Sequence, residues 1–485
     1  RRMKVEFLDQ TLRDGQQSLW GMRMQARHAL PACDALDRTG FRVIDLTGSH
    51  HFEVLVRHCR EDPWAMMDAL KAAMPRTVLR SGMRANAAIS FRTTPDALMD
   101  LWMRQLNRHG ARSFWIYDVL FDIGRTQRLA RVAKEFGSEI AGAIMFTLSP
   151  VHTDAYYAEK ARALAALPEV DTLLLYDTAG VLEKERLSTL LPAIVAEARG
   201  KPIEFHANNL MGQSAKAYCD ALSLGVSIVH TASRPMANGP SVPSTECIAA
   251  NLAHLGHTHD LDLACLPPVA AHFEAVGRAC GFLVNQHAEY DLFAVTHQIP
   301  GGMVGTLKAQ LKQHGMDDRL GEVLAEVAHV RRELGWPGMA TPFSQLVGIQ
   351  AVLNIVTGER WSIIPEEVIT YAAGHYGQPV APIDPNVLDR IMADPKARQV
   401  LANPPEQPSL EELRRRHGTD DDDELFLRAL VPQADIDRMR AAGPLVTSLP
   451  LASSAEADQV IRLMKTLSSR QFRLASETLS VELTR

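Results

Sequence analysis

Short apolar, β-rich runs recur along the first half of the chain, at Val5 to Leu8, Val43 to Leu46, Val78 to Met83, Phe114 to Tyr117, Ile140 to Phe146, Leu173 to Tyr176, Ile203 to Phe205 and Val226 to Val229. Continuous runs of this length fit strands buried on both faces, as in a parallel sheet. Between them the apolar spacing turns helical, over Pro95 to Asn107, with its proline at a first-turn position, Arg125 to Phe136, Tyr156 to Leu167 and Glu183 to Glu197. Strands separated by crossovers long enough for helices, repeated to a count of eight, predict a closed (β/α)8 TIM barrel of about 250 residues. An open doubly wound sheet is the alternative that pattern alone leaves. No G-x-G-x-x-G opens a helix, so a dinucleotide fold gains no support.

After about Asp262 the texture becomes helical, over Pro267 to Gly281, Met303 to His314, Arg319 to Leu334 and Phe343 to Thr357. A tail of this kind is expected to pack over the carboxyl-end mouth of the barrel. Pro404 to Pro408 and the acidic run Asp420 to Glu424 predict exposed connections. Near the end, Ala457 to Leu467 suggests a short helix, and Phe472 to Leu483 alternates like a strand. The expected division is a barrel over 1–262, a helical domain over 263–445 and a small appendage over 446–485.

A chain of 485 residues exceeds one ordinary core of about 150 residues, which agrees with a large barrel plus a second unit. The net charge of −6 leaves no basic face for nucleic acid and no polybasic membrane patch, so a small, often anionic metabolite is the better partner. The six cysteines form no C-x-x-C pair and no regular spacing, and read as reduced core thiols of a cytoplasmic protein. No apolar run approaches the roughly 20 residues that span a bilayer.

Polar residues recur just after the predicted strands, at Asp14, Arg84, Asp118, Tyr176, Asp177, His206, Asn208, Asn209, His230 and Arg234. Barrel enzymes place their chemistry at that end, and a purely structural barrel has no reason to gather polar groups there. Arg13 offers a planar fork for a carboxylate, Asp14 a hard oxygen ligand, and Gly15 a backbone able to turn close to both. The cluster His254 to Asp260 sits among turn residues and reads as a surface loop rather than a metal site. The pair His50-His51 follows the second strand, where helix capping and substrate contact are equally open.

Thr11-Leu12-Arg13-Asp14-Gly15-x-Gln17-Ser18 resembles the Arg-Asp turn shared by acyl-CoA lyases and 2-oxo-acid-condensing synthases. Ser149-Pro150-Val151-His152-Thr153, Asp177-Thr178-Ala179-Gly180, Pro300-Gly301-Gly302-Met303 and the run from Thr341-Pro342-x-Ser344-Gln345 to Asn354 narrow the likeness. They resemble the biotin-dependent carboxyltransferases, within which the pyruvate carboxylase and oxaloacetate decarboxylase α-chain type is most similar, from about Lys4 to Pro444. The resemblance implies transfer of a carboxyl group between biotin and an acceptor through an enolate. It assigns Arg13, Gln17 and Arg84 to holding the acceptor, and Thr341 to relaying a proton between acceptor and biotin.

Departures from the family pattern matter as much. The family holds a divalent metal between an aspartate, a carboxylated lysine and two histidines. Here Asp14 and His206 keep two of these positions, while Tyr176 stands for the lysine, Asn208 for the second histidine and Asn209 for the aspartate that follows it. Asp14 and His206 alone are too few to hold such a cation against water. Where the family has small or apolar residues the chain has His230 and Arg234, and Arg234 is a candidate to replace part of the lost charge; Tyr176, Asn208, Asn209, His230 and Arg234 are therefore candidates for acceptor binding.

No Ala-Met-Lys-Met occurs in the sequence, so biotin is expected to arrive on a separate carrier, with biotin carboxylase as a further partner. The leading expectation is a divergent carboxyltransferase acting on a small organic acid or related acceptor other than pyruvate, in a homo-oligomer. A catalytically silent scaffold within a carboxylase complex and a biotin-independent lyase or decarboxylase are the alternatives.

Overall fold

A computed structural model of the chain describes residues 2–89, 92–449, 471–475 and 480–484. Eight parallel strands close on themselves: β1 (Glu6–Asp9), β2 (Val43–Thr47), β3 (Val78–Arg84), β4 (Ser113–Tyr117), β5 (Glu139–Phe146), β6 (Thr172–Asp177), β7 (Ile203–Ala207) and β8 (Val226–Thr231). The open-sheet alternative is excluded by the pairing of β1 with β8, which sets Leu8 beside His230 and Asp9 beside Thr231. The register of β6 on β7 places Tyr176 beside His206. These strands are apolar because helices cover their outer face and side chains fill their inner one.

Local chemistry starts many of the covering helices. Asp62 caps the helix Pro63–Ala73, which has proline at its first position, and Asp122 and Thr153 cap Ile123–Lys134 and Asp154–Ala166 by accepting first-turn N–H groups. The helix expected from Pro95 runs over Asp96–Arg108.

The tail is helical from Leu266–Cys280 through Gly301–Gln313, Leu320–Glu333 and Phe343–Thr357 to Gln433–Ala441. It closes the carboxyl-end mouth. One apolar cluster joins Trp115, Tyr117, Met145 and Tyr176 of the barrel to Met303, Leu307, Phe343 and Val347 of the tail. Arg1–Thr447 accordingly forms one compact unit, and Ser448–Arg485 a second.

Two expectations change. The acidic run is no exposed connection: Asp421 caps the helix Asp422–Leu430, and Phe426 stacks on Trp102 of the barrel coat, with ring centroids 5.6 Å apart. In the second unit the single expected strand is two, Gln471–Ala475 and Ser480–Thr484, paired antiparallel. The helix expected at Ala457 to Leu467 lies outside the described residues.

Candidate active site

The site grows from the turn after β1. Buried Asp9 accepts hydrogen bonds from the Thr11 N–H (3.1 Å) and hydroxyl (2.7 Å), and the chain winds into a tight buried turn over Thr11–Gly15. A Cβ on Gly15 would lie 2.9 Å from the Met236 carbonyl oxygen, so only glycine lets the turn pass. His51 fastens the same turn from the side. Its Nδ1 accepts from the Gly48 N–H and its Nε2 lies 3.3 Å from the Arg13 carbonyl oxygen.

The turn delivers Arg13 into the barrel, where it is 2% exposed. Its Nε–H donates to Gln10 Oε1 at 2.9 Å, both terminal nitrogens donate to the Tyr176 hydroxyl at 3.2 Å, and the guanidinium lies 5.1 Å from the Trp115 ring centroid. Asp45 Oδ2 and Asp14 Oδ1 stand 3.4 and 3.6 Å from guanidinium nitrogens. Burial works against this charge, but Tyr176, Asp14 and Asp45 outweigh it and hold Arg13 above its ordinary pKa. The opposite balance holds for the acids: burial pushes Asp45 up to about 6 and raises Asp14, with Arg13 opposing both.

Beneath Arg13 lies a buried polar layer. Arg80 holds Glu204 with a two-pronged pair at 2.6 and 3.0 Å, and Thr172 donates to the same carboxylate. Burial disfavours the Glu204 charge, but Arg80 and His230 more than offset this and keep the carboxyl ionised. An ionised carboxylate only accepts, so His230, 2.8 Å away, donates from Nε2, and its Nδ1 is an acceptor. His206 Nδ1 lies 3.1 Å from that acceptor, which the Gln10 amide also approaches at 3.2 Å, and burial keeps both imidazoles neutral. His206 Nε2 lies 3.7 Å from Asp14 Oδ1.

Above this layer a cavity of about 560 Å³ opens between barrel and tail. Arg13, Asp14, Gln17, Tyr176, Asn208 and Thr341 form its polar end, and Trp115, Tyr117, Met145, Met303, Leu307 and Ile349 much of its apolar wall. Tyr117, Trp115, Tyr176 and His206 stack in sequence, with centroids 5.1, 5.2 and 4.0 Å apart. Trp115 fits because a Cβ on Gly82 would fall 2.5 Å from its indole. From the tail, the Gln345 amide donates to Thr341 Oγ1 at 2.9 Å, so the hydroxyl's own proton is left for another acceptor.

The family model for the conserved carboxylase domain matches residues 294–475. The chain is 33% identical over 442 residues to a pyruvate carboxylase subunit from Methanocaldococcus jannaschii, covering 90% of this chain and 78% of the relative. The chain belongs to the biotin-dependent carboxyltransferases. The 2-oxoglutarate carboxylase large subunit of Hydrogenobacter thermophilus is 31% identical over 440 residues, which cover 89% of this chain and 67% of that one. In fold, this carboxyltransferase matches the carboxyl transferase domain of Rhizobium etli pyruvate carboxylase, solved with pyruvate and biocytin. That likeness has a TM-score of 0.84 at 22% identity and covers 99% of this chain and 84% of the solved one.

The carboxyltransferase brings Arg13, Asp14, Gln17, Tyr176, Asn208 and Thr341 to one cavity, with His206 directly behind Tyr176. Four expected residues stand elsewhere. Arg84 is buried and donates from Nε to the Ala87 carbonyl oxygen, because the strand ends in a turn that folds back on it. Asn209 Oδ1 accepts the N–H of Ser214, the first residue of the next helix. His230 lies one layer too deep, spent on Glu204 and Gln10. Arg234 is exposed on a short 3-10 turn, with its backbone N–H on Glu246, and so cannot replace charge inside the barrel.

Asp177 and Asp118 also serve structure. The Asp177 carboxylate accepts the Leu182 N–H at 2.8 Å, and Asp118 pairs with Arg125 at 2.9 Å. Sequence reasoning missed Gln10, Asp45, Trp115 and Gln345. The signal for Asp45 was a charged residue inside an otherwise apolar strand, which points into a barrel rather than out. Among the described residues no helix is long and apolar enough to cross a membrane.

Proposed function

We propose that this chain performs the carboxyl-transfer step of a biotin-dependent carboxylase, on a small organic acid other than pyruvate. The observation that carries the reading is the meeting of Arg13, Gln17 and Thr341 on one cavity, an anion fork and a proton-passing hydroxyl facing the same space. Biotin held by a separate carrier protein, and charged there by a biotin carboxylase, supplies the carboxyl group.

Arg13 and Gln17 orient the acceptor and stabilise the oxygen on which negative charge develops. Thr341 accepts the proton leaving the acceptor carbon while giving up its own, so the hydroxyl never carries charge. Gln345 fixes the hydroxyl for that exchange. The electron pair left on carbon then forms the new carbon–carbon bond to the carboxyl carbon, whose bond to the biotin nitrogen breaks, and that nitrogen takes the proton given up by Thr341. Relatives of near-equal similarity are named for pyruvate and for 2-oxoglutarate, so overall likeness does not select the acceptor. The broad apolar wall and the altered residues Tyr176 and Asn208 favour one bulkier than pyruvate.

Purification from the native source followed by a streptavidin blot should recover a biotinylated partner. The recovered complex should then carboxylate another 2-oxo acid or acyl thioester with a higher kcat/KM than pyruvate. Absence of any biotinylated partner together with no binding of free biotin would overturn carboxyl transfer, and a preference for pyruvate would overturn the choice of acceptor.

A further inference from the structure

We infer that the residues of this centre do not hold the divalent cation that the family pattern implies, and that its fixed positive charge is the Arg13 guanidinium alone. The residues present do not fit that cation. Asp14 Oδ1 and His206 Nε2, 3.7 Å apart, are the ionisable donor atoms that face each other, and they leave most of a tetrahedral or octahedral shell to water. Asn208 turns its amide N–H groups to Asp14 Oδ2 (2.9 Å) and to the Pro240 carbonyl oxygen (2.8 Å), so the side chain is oriented as a donor to the carboxylate. Tyr176 has no amine from which a carbamate can form. Among the described residues no group of three or more His, Cys, Asp and Glu side chains gathers as a metal shell.

The guanidinium occupies the same neighbourhood and is more firmly held than a weakly ligated ion would be. It stands 3.6 Å from Asp14, the carboxylate that a cation would need. Gln10, Tyr176 and the face of Trp115 fix it from three directions. Those bonds use three of its five N–H groups, and one on each terminal nitrogen remains. Because Arg13 lines the cavity, these remaining donors are the ones available to an oxyanion. Tyr176 therefore has a positioning role: its hydroxyl holds the charge that the enolate oxygen meets.

The inference rests on the carboxyl-transfer reading only for the identity of that oxyanion; the metal measurement needs neither acceptor nor carrier. The full-length protein would be purified without chelator from cells grown with added zinc, manganese and cobalt, and its metal content measured by mass spectrometry. The expected result is far less than one equivalent of transition metal, unchanged in Asp14→Ala and His206→Ala. The double variant Tyr176→Lys, Asn208→His should take up one equivalent, with a rise in Tm that a chelator reverses. One equivalent in the unaltered protein, lost in either single variant, would overturn the inference even if the double variant failed to fold.

Discussion

Thr341 is the residue on which the proposed proton relay stands or falls. Its hydroxyl accepts from Gln345 and faces the cavity, so removing it should affect the transition state more than acceptor binding. Thr341→Ala is expected to lower kcat by about a hundredfold with little change in acceptor KM. Thr341→Ser, which keeps the hydroxyl, should retain most of the rate, and steady-state kinetics of the two variants side by side checks this. At the residue scale the motifs carried Arg13, Gln17 and Thr341, which line one cavity, because each belongs to a continuous run whose spacing survives in one sequence. Arg84, Asn209 and Arg234 fall outside the lining of that cavity, because a position just after a strand says nothing about which way the backbone turns next. The deep layer was illegible for another reason: Arg80, Glu204 and His230 come from three strands, and only barrel closure brings them together.

At the scale of elements, the Asp177-Thr178-Ala179-Gly180 turn holds Asn208 in place. Gly180 has φ +64°, and a Cβ there would lie 1.8 Å from the Asn208 carbonyl oxygen. Gly180→Ala should therefore destabilise the protein by more than about 1 kcal/mol, and should lower activity in the fraction that folds, as denaturant titration with a parallel assay would show.

The helix Asp422–Leu430 is pinned to the barrel coat by a titratable clasp. His109 bridges Asp68 (2.8 Å) and Asp423 (3.0 Å) and stacks on Trp64. Burial works against the charged imidazole, but its hydrogen bonds to Asp423 and Asp68 outweigh that and raise its pKa. Burial likewise opposes the Asp423 charge, and His109 and Gln105 reverse the sign and lower its pKa. A raised histidine pKa means stability that is complete below the unfolded value of about 6.5 and fades as pH rises through the folded one. A lowered aspartate pKa means stability lost only as pH falls below about 3.9 and through the folded value. His109→Gln should thus reduce stability by about 1 kcal/mol near pH 5.5, with the deficit shrinking as pH rises past the ordinary imidazole value and through the raised one, as melting curves over a pH series would reveal. The acidic run read as a loop because its charges are caps and clasp partners, a role that hydropathy does not distinguish from solvation.

Over the whole molecule, the strands and the principal helices were legible because strand period, helix period and proline or aspartate caps all agreed. The pattern predicted a tail over the mouth but not which barrel and tail side chains meet in one apolar cluster, since that depends on which faces meet. One compact unit whose barrel and tail share an apolar cluster predicts a single cooperative loss of structure for Arg1–Thr447. Near-ultraviolet circular dichroism, far-ultraviolet circular dichroism and activity should decline together on heating. An early loss of activity with barrel spectra intact would show the tail detaching first.

Trp115 lies between Tyr117 and Tyr176 in the stacked wall, 5% exposed, with a guanidinium 5.1 Å from its ring centroid. An indole's emission responds to the charge beside it, and any acceptor that engages Arg13 changes that field. The cavity thus contains its own optical probe among the six tryptophans of the chain. Titrating candidate acids should shift the emission of the unaltered protein and leave Trp115→Phe silent, so that occupancy can be read by light before the carrier, the partner enzyme or a single turnover is in hand.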